Sequence, residues 1–149
     1  MSLIKHYENS LKEHLKDFNI QTYLGEFNDK DKIEALFNKD ECLVFFDFMN
    51  ESFLNISQRE ITYKIYVCSK TSNKQRAMRE ECKYKALDKL SKIEKALIDT
   101  YFINGFKVDL LSLAKEYDNA TDLGFIVLYS RTFKTILQEN NHTGLVDEL

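Results

Sequence analysis

The chain has 149 residues and a net charge of −3, and apolar and charged residues make up 44% and 30% of it. This balance excludes a disordered chain and fits one globular domain that buries about two-thirds of its unfolded surface. No stretch reaches the roughly 18 consecutive apolar residues of a membrane helix, and the acidic balance disfavours a dedicated nucleic-acid binder. We therefore expect a cytosolic protein with no membrane contact and no direct nucleic-acid partner.

The first part of the chain is predicted to alternate between helix and strand. Apolar residues recur every three or four positions over residues 2–18, which predicts an amphipathic helix with Ser2 as its N-cap. Residues 20–27 then predict a short strand, and residues 30–37 predict a short helix.

The middle of the chain predicts a central strand, a neighbouring strand and the longest helix. Residues 42–49 are apolar on both faces apart from Asp47, which is typical of a central strand. A polar loop is expected over residues 50–58, and residues 61–68 alternate between apolar and polar as a half-buried strand does. A stripe of apolar residues predicts a helix over residues 74–98.

The last third of the chain predicts two more strands. Residues 104–105 (Asn-Gly) predict a turn before a strand at residues 106–111, and residues 118–122 predict a second turn. Residues 123–137 predict a strand near the middle of the sheet, whereas residues 138–149 lack periodicity and are expected to fray.

This order of elements predicts the α+β class. Strand pairs set off by helices favour a single, mainly antiparallel and possibly mixed sheet with helices packed on it. We find no internal repeat and no linker, so residues 1–137 are expected to form one domain.

Charge is unevenly distributed along the chain. Residues 70–95 carry nine Lys or Arg against four acids and are therefore +5, which leaves −8 for the rest. Such polarity suits head-to-tail contacts between identical subunits, although a solvated helix face with internal ion pairs is the simpler interpretation.

The sequence contains no recognisable catalytic signature. The four Gly do not form a phosphate-binding loop, and no Cys-x-x-Cys, His-Glu-x-x-His or nucleophile elbow occurs. We therefore expect no catalytic residue, no cofactor, no metal ligand and no small-molecule substrate. Cys42, Cys68 and Cys82 are widely spaced within apolar patterns, which predicts three buried free thiols.

Asp47 is the residue that comes nearest to an active-site carboxylate, since it lies inside an aromatic strand. A metal-dependent nuclease could use it with Glu60 and Lys64 on the neighbouring strand. The alternative is a carboxylate near the strand end that accepts a hydrogen bond from a loop amide or a Lys.

Two segments that are predicted to be exposed are the candidate contact sites. Phe53 and Leu54 stand in the predicted polar loop, where apolar side chains either tuck back or meet a partner. Lys70, Lys74 and Arg76 lie among Thr, Ser and Asn residues, a composition suited to carboxylate or phosphate. The predicted protein-interface residues are Phe53, Leu54, Lys70, Lys74, Arg76 and Arg79.

The order of these landmarks resembles the small tail proteins of Mu-like phages and prophages, which are similar in fold to the tail terminators of long-tailed phages. The resemblance covers residues 1–137. The stretches that carry it are Tyr23–Phe27, Leu43–Phe48, Tyr63–Cys68, Ser69–Asn73, Leu123–Tyr129 and Arg131–Thr135. The chain departs from the family pattern in having no Pro and few Gly in its turns, and in its longer C-terminal tail.

The resemblance implies an architectural role. Tail terminators assemble as a ring, usually a hexamer, on the last layer of the tail tube, so the implied partners are copies of the chain and other tail proteins. The implied location is the cytoplasm of a bacterial host or the assembled virion tail. The residues fit equally well a monomeric cytosolic adaptor or inhibitor domain that binds a single partner protein.

Overall fold

The computed structural model describes residues 2–98 and 107–139. Two helices and five strands carry the fold of these residues, and short 3₁₀ turns lie between the first elements. The bounds are α1 Leu3–His14, β1 Gln21–Thr22, β2 Cys42–Asn55, β3 Gln58–Thr71, α2 Arg76–Ile98, β4 Asp109–Thr121 and β5 Gly124–Gln138.

The five strands form a single mixed sheet in the order β1-β2-β3-β5-β4. All neighbours are antiparallel except β1 and β2, which run parallel. Two long hairpins build most of the sheet: β2 and β3 turn at residues 56–57, and β4 and β5 turn at residues 122–123. The predicted α+β class and mainly antiparallel sheet are confirmed.

Both helices pack on one face of the sheet. Ser2 caps α1, its side chain accepting a hydrogen bond from the amide of Lys5 at 3.0 Å, and Tyr7 and Leu11 are fully buried. The predicted stripe of α2 is also confirmed, with each buried Leu or Ile contributing about 1.5–3 kcal/mol. The buried α2 residues are Cys82, Ala86, Leu90, Ile93 and Leu97.

A folded segment without long helices covers part of the opposite sheet face. Phe27, Ile33 and Phe37 are buried there against Phe45 and Leu128. The rings of Phe27 and Phe45 meet edge to face at 5.2 Å. The remainder of this face carries polar side chains of β2, β3, β4 and β5.

Three early elements are shorter than predicted. The first helix ends at His14, and Lys16–Phe18 form a 3₁₀ turn instead. The strand expected over residues 20–27 is only β1, because the chain turns over the sheet face at Gly25, whose φ is +89°. The helix expected over residues 30–37 is two 3₁₀ turns, Lys30–Lys32 and Glu34–Leu36.

The prediction of a polar loop over residues 50–58 is wrong. β2 continues to Asn55, and its pairs with β3 run out to Asn55 opposite Gln58. The side chains of this outer part are exposed, so they show no alternation, although the strand pairing of the hairpin persists. A bulge between Phe48 and Asn50 also shifts the pairing of β2 with β3, so the alternation of side chains between the two sheet faces is interrupted there.

The C-terminal boundaries differ as well. A turn is predicted at residues 118–122, but β4 extends to Thr121, so the turn begins at residue 122, four residues later than predicted. Gln138 belongs to β5, and the amide of Glu139 donates to the carbonyl of Ser57 at 2.6 Å. These two residues are therefore not frayed, while residues 140–149 and the predicted turn at 104–105 lie outside the described residues.

Candidate interaction surface

The far end of the β2–β3 hairpin carries several exposed apolar side chains, here called the tip surface. Its members are Met49, Phe53, Leu54 and Ile56. Phe53 is 67% exposed and Ile56 is 78% exposed. These four are among the eleven large apolar residues that are exposed in the described chain, and they lie within eight consecutive positions.

Beside the tip surface, the outer half of β2 has a free backbone edge. β1 pairs only with Phe45 and Phe46, so among the described residues no strand pairs with this edge of β2 beyond them. On the other side, β5 accompanies β3 as far as Gln58 opposite Gln138. The result is a free strand edge with apolar side chains, a feature that proteins usually keep covered or break up with charge.

Arg59 holds the hairpin end in place. Its guanidinium lies over the ring of Phe53, 4.6 Å from the centroid, and donates to the Glu139 carboxylate at 3.2 Å. It also donates to the carbonyl of Asn55 at 3.1 Å. Phe53 is thus a positioned, exposed aromatic ring, a type of residue that is enriched at protein interfaces.

The predicted interface residues fall into two separate groups. Phe53 and Leu54 lie at the tip, whereas Lys70 lies at the opposite end of β3. At about 3.4 Å per residue, roughly 40 Å of strand separates the two ends. The predicted surface is therefore divided between the two ends of the sheet.

At that opposite end, the basic residues make different contacts. The side chain of Arg76 is 92% exposed and pairs with Glu80 at 3.3 Å, and Lys74 is exposed. Arg79 instead joins two loops, donating to the carbonyls of Asn73 at 3.2 Å and Thr121 at 2.6 Å. These bonds explain the position of Arg79 without a partner.

Lys70 lines a groove of about 660 Å³ beside α2. Ser69, Cys42 and Cys82 also line it, and the Ser69 hydroxyl and Cys82 thiol are hydrogen-bonded at 3.2 Å. Cys68 and Cys82 are buried free thiols as predicted, but Cys42 is only half-buried because it begins β2 at the groove. Burial raises the pKa of Cys82, so its thiol stays protonated.

Asp47 lies on the polar part of the second sheet face, directly opposite Lys64. Lys64 donates to Glu116 of β4 at 3.3 Å, and the hydroxyl of Ser130 donates to the same carboxylate at 2.6 Å. Glu60 lies apart and pairs with Lys134 at 3.7 Å. The structure thus brings together two of the three residues of the nuclease alternative and adds Glu116, which the sequence pattern did not indicate.

The electrostatics of this polar cluster follow from partial burial. Burial raises the pKa of Asp47, with Lys64 opposing the effect and Glu8 adding to it. Burial also acts to raise the pKa of Glu116, but the Ser130 hydrogen bond and the Lys64 ammonium outweigh it, so this pKa is lowered. Within the described residues, no three His, Cys, Asp or Glu side chains are grouped as a metal site. The nuclease role of Asp47, the alternative to the expected absence of a catalytic residue, stays an untested hypothesis.

Comparison with known proteins adds no family. No protein-family model matches the chain, and no curated protein matches it significantly. Over residues 2–98 and 107–139, neither helix has the length and apolarity needed to cross a membrane. The tail-family resemblance therefore rests on the sequence landmarks given above.

Proposed function

We propose that this chain is a structural component of a phage or prophage tail, a ring-forming tail terminator or tail completion protein. Its partners are copies of itself, in a ring that is a hexamer on the family pattern, and the adjacent tail proteins. It acts by surface complementarity, in the host cytoplasm during assembly and afterwards in the virion tail.

The observation that carries the proposal is the exposed apolar tip surface beside a free strand edge. Burying Phe53 and Ile56 against a neighbour would remove apolar area from water, at about 25 cal/mol per Å². The unpaired backbone groups of the β2 edge offer hydrogen bonds to the same neighbour.

The placement of the second predicted contact region also supports a ring. Lys74 and Arg76 lie at the opposite end of the sheet from the tip surface. Contacts between two different surfaces are heterologous, and such contacts close into rings when the rotation between copies permits. A protein with one contact region at each end suits this arrangement.

The test compares three variants of the purified chain by light scattering and electron microscopy. Phe53→Asp places a charge in the tip contact and is expected to prevent the ring formation that is expected of the unmodified chain. Leu24→Asp is the matched control, because Leu24 is 82% exposed but follows β1, which pairs with Phe45 and Phe46, away from both ends of the sheet. Lys74→Glu combined with Arg76→Glu is expected to block assembly from the opposite end.

Circular dichroism must show that all variants keep the fold. Rings formed equally well by the Phe53→Asp chain would contradict the role of the tip surface. Loss of rings in the Leu24→Asp chain as well would show that the effect of a new charge is not specific to the tip.

The same tip surface favours one alternative, a monomeric adaptor or inhibitor. A free strand edge with apolar side chains can accept an extended segment of a single partner. A chain that stays monomeric and binds one protein through Phe53 would support this function instead.

A further inference from the structure

A row of exposed charges runs along one side of α2, away from its buried stripe. We call Glu81, Lys85, Asp88 and Lys92 the charged stripe. At about 100° of rotation per residue, the four lie within roughly 60° of arc on the helix. All four are exposed, and all four line the groove beside α2.

The charged stripe has no ion-pair partners inside the described part of the chain. Other charges of α2 are paired there: Glu80 with Arg76 at 3.3 Å, and Glu94 with Arg131 at 2.6 Å. Neither Lys85 nor Lys92 forms such a pair with any residue in the described ranges. The stripe therefore presents exposed charges of both signs that form no ion pair with the described residues.

The order of the charges is self-complementary under two-fold rotation. Lys85 and Asp88 lie at equal distances on either side of the point midway between Ala86 and Leu87, and Glu81 and Lys92 share the same midpoint. When two α2 helices lie antiparallel about that midpoint, each Lys85 faces the Asp88 of the other copy. Each Glu81 likewise faces a Lys92, which gives four opposite-charge contacts.

We propose that α2 forms a two-fold contact with α2 of a second copy of this chain, in the register that pairs Lys85 with Asp88 and Glu81 with Lys92. Such a contact is isologous, because the same surface is used on both copies. The same register places the two copies of Tyr84, which is 57% exposed, on one side of the contact. At 1.5 Å of rise per residue, the two rings lie about 7.5 Å apart along the helices and can bury apolar area together.

A second copy fits the groove better than a free anion does. Lys39 and Lys70 line the groove, but Glu41 and Asp88 line it as well, and their carboxylates repel a polyanion. The charges of the stripe alternate in sign along α2, so a matching partner must place a positive charge opposite each acid and a negative charge opposite each Lys. A second α2 in the antiparallel orientation does this. The contact is independent of the proposed ring, since it uses neither the tip surface nor Arg76.

The test uses single charge reversals and their mixture, all in a Phe53→Asp background that removes the tip contact. Lys85→Asp sets a carboxylate against that of Asp88 at two places in the contact, and Asp88→Lys sets two ammonium groups against each other at the same places. Each variant alone is expected to dimerise about tenfold or more weakly than the parent. Mixed together, the two variants restore opposite charges at both places and are expected to form a mixed dimer.

Native mass spectrometry and sedimentation at low and high salt give the readout. The parent is expected to form dimers that weaken as salt screens the charges. The double exchange Lys85→Asp with Asp88→Lys should dimerise like the parent, and Lys5→Asp on α1 is the matched charge control. A monomeric parent at low salt overturns the proposal, and so does a mixture of the two single variants that fails to form mixed dimers.

Discussion

Asp40, just before β2, and Asp47, within β2, have pKa values shifted in opposite directions. The Asp40 carboxylate accepts hydrogen bonds from the amide of Ser72 at 2.9 Å and from its hydroxyl at 2.8 Å, and these bonds lower its pKa. Partial burial raises the pKa of Asp47 more than Lys64 lowers it. One carboxylate is therefore stabilised by the fold in its charged form, and the other is not.

This contrast predicts opposite effects of two matched substitutions on stability. A carboxyl whose pKa is lower in the folded protein than in the unfolded chain stabilises the fold when the pH is above its ordinary pKa. This stabilisation is lost as the pH falls through the pKa of the folded protein. Asp40→Asn should therefore destabilise the protein at neutral pH. A carboxyl whose pKa is raised in the folded protein destabilises the fold increasingly as the pH rises through its ordinary pKa, and fully above its pKa in the folded protein. Asp47→Asn should therefore stabilise the protein at neutral pH.

Chemical denaturation of the two variants at neutral and acid pH measures these effects. Both differences from the unmodified chain should shrink in acid, where the two carboxyls are protonated in the folded and unfolded states. A loss of stability in the Asp47→Asn chain at neutral pH would show that the attraction to Lys64 outweighs burial.

A single glycine fixes how the two hairpins join. Gly124 has φ of +143°, and a Cβ there would lie 2.4 Å from the carbonyl oxygen of Thr71. Because β5 begins against the end of β3, any larger residue would force these backbones apart. The sequence shows Gly124 at a strand start, but the close approach depends on a residue more than fifty positions away.

Among the contacts between elements, a buried pair of hydroxyls attaches α1 to the sheet. The hydroxyls of Tyr7 and Tyr63 are hydrogen-bonded at 2.7 Å, and their rings lie 5.4 Å apart. Phe46 and Phe133 also pack on the Tyr63 ring. This contact ties the first helix to the centre of β3.

Removing one of the two hydroxyls should lower the free energy of unfolding by more than half of the amount that removing both of them does. Tyr7→Phe deprives the buried Tyr63 hydroxyl of its partner, which should lower the free energy of unfolding by about 1–2 kcal/mol. The double variant with Tyr63→Phe should be destabilised by less than the sum of the two single effects. Denaturant unfolding of the three variants tests this, and simple additivity would contradict a direct bond between the two groups.

The elements that can be predicted from the sequence are those whose periodicity is set by burial. The apolar stripe predicts α2 within two residues because it faces the core over its whole length. The outer half of β2 escapes prediction because its side chains are exposed on both faces, so only backbone pairing defines the strand. The prediction for β1 is too long because its apolar residues pack over the sheet instead of extending it.

How much of the candidate site can be predicted depends on the same difference between local sequence patterns and contacts between distant segments. The exposure of Phe53 can be foreseen from an apolar residue among polar neighbours, but not its place on a projecting hairpin. The contact of Glu116 with Lys64 depends on β4 lying beside β5, a pairing between distant segments that no local pattern reveals. The bonds of Arg79 to two loop carbonyls are of the same kind.

Across the whole molecule, the two ends of the sheet differ in character. One end carries the apolar tip surface, and the other carries Lys70, Lys74 and Arg76 with the start of α2. Heterologous contacts between such ends close into rings when the rotation between copies permits, and a two-fold contact through α2 would join two copies in addition. Both proposals depend on the chain binding to itself.

Self-association is therefore the property to measure first, as the mass of the purified chain by light scattering over a wide range of concentration, with electron microscopy of the same samples. We expect rings or a concentration-dependent oligomer at low salt, with a hexamer as the closed form. A chain that remains monomeric at every concentration and at every salt level would contradict self-assembly in solution and would favour the single-partner adaptor.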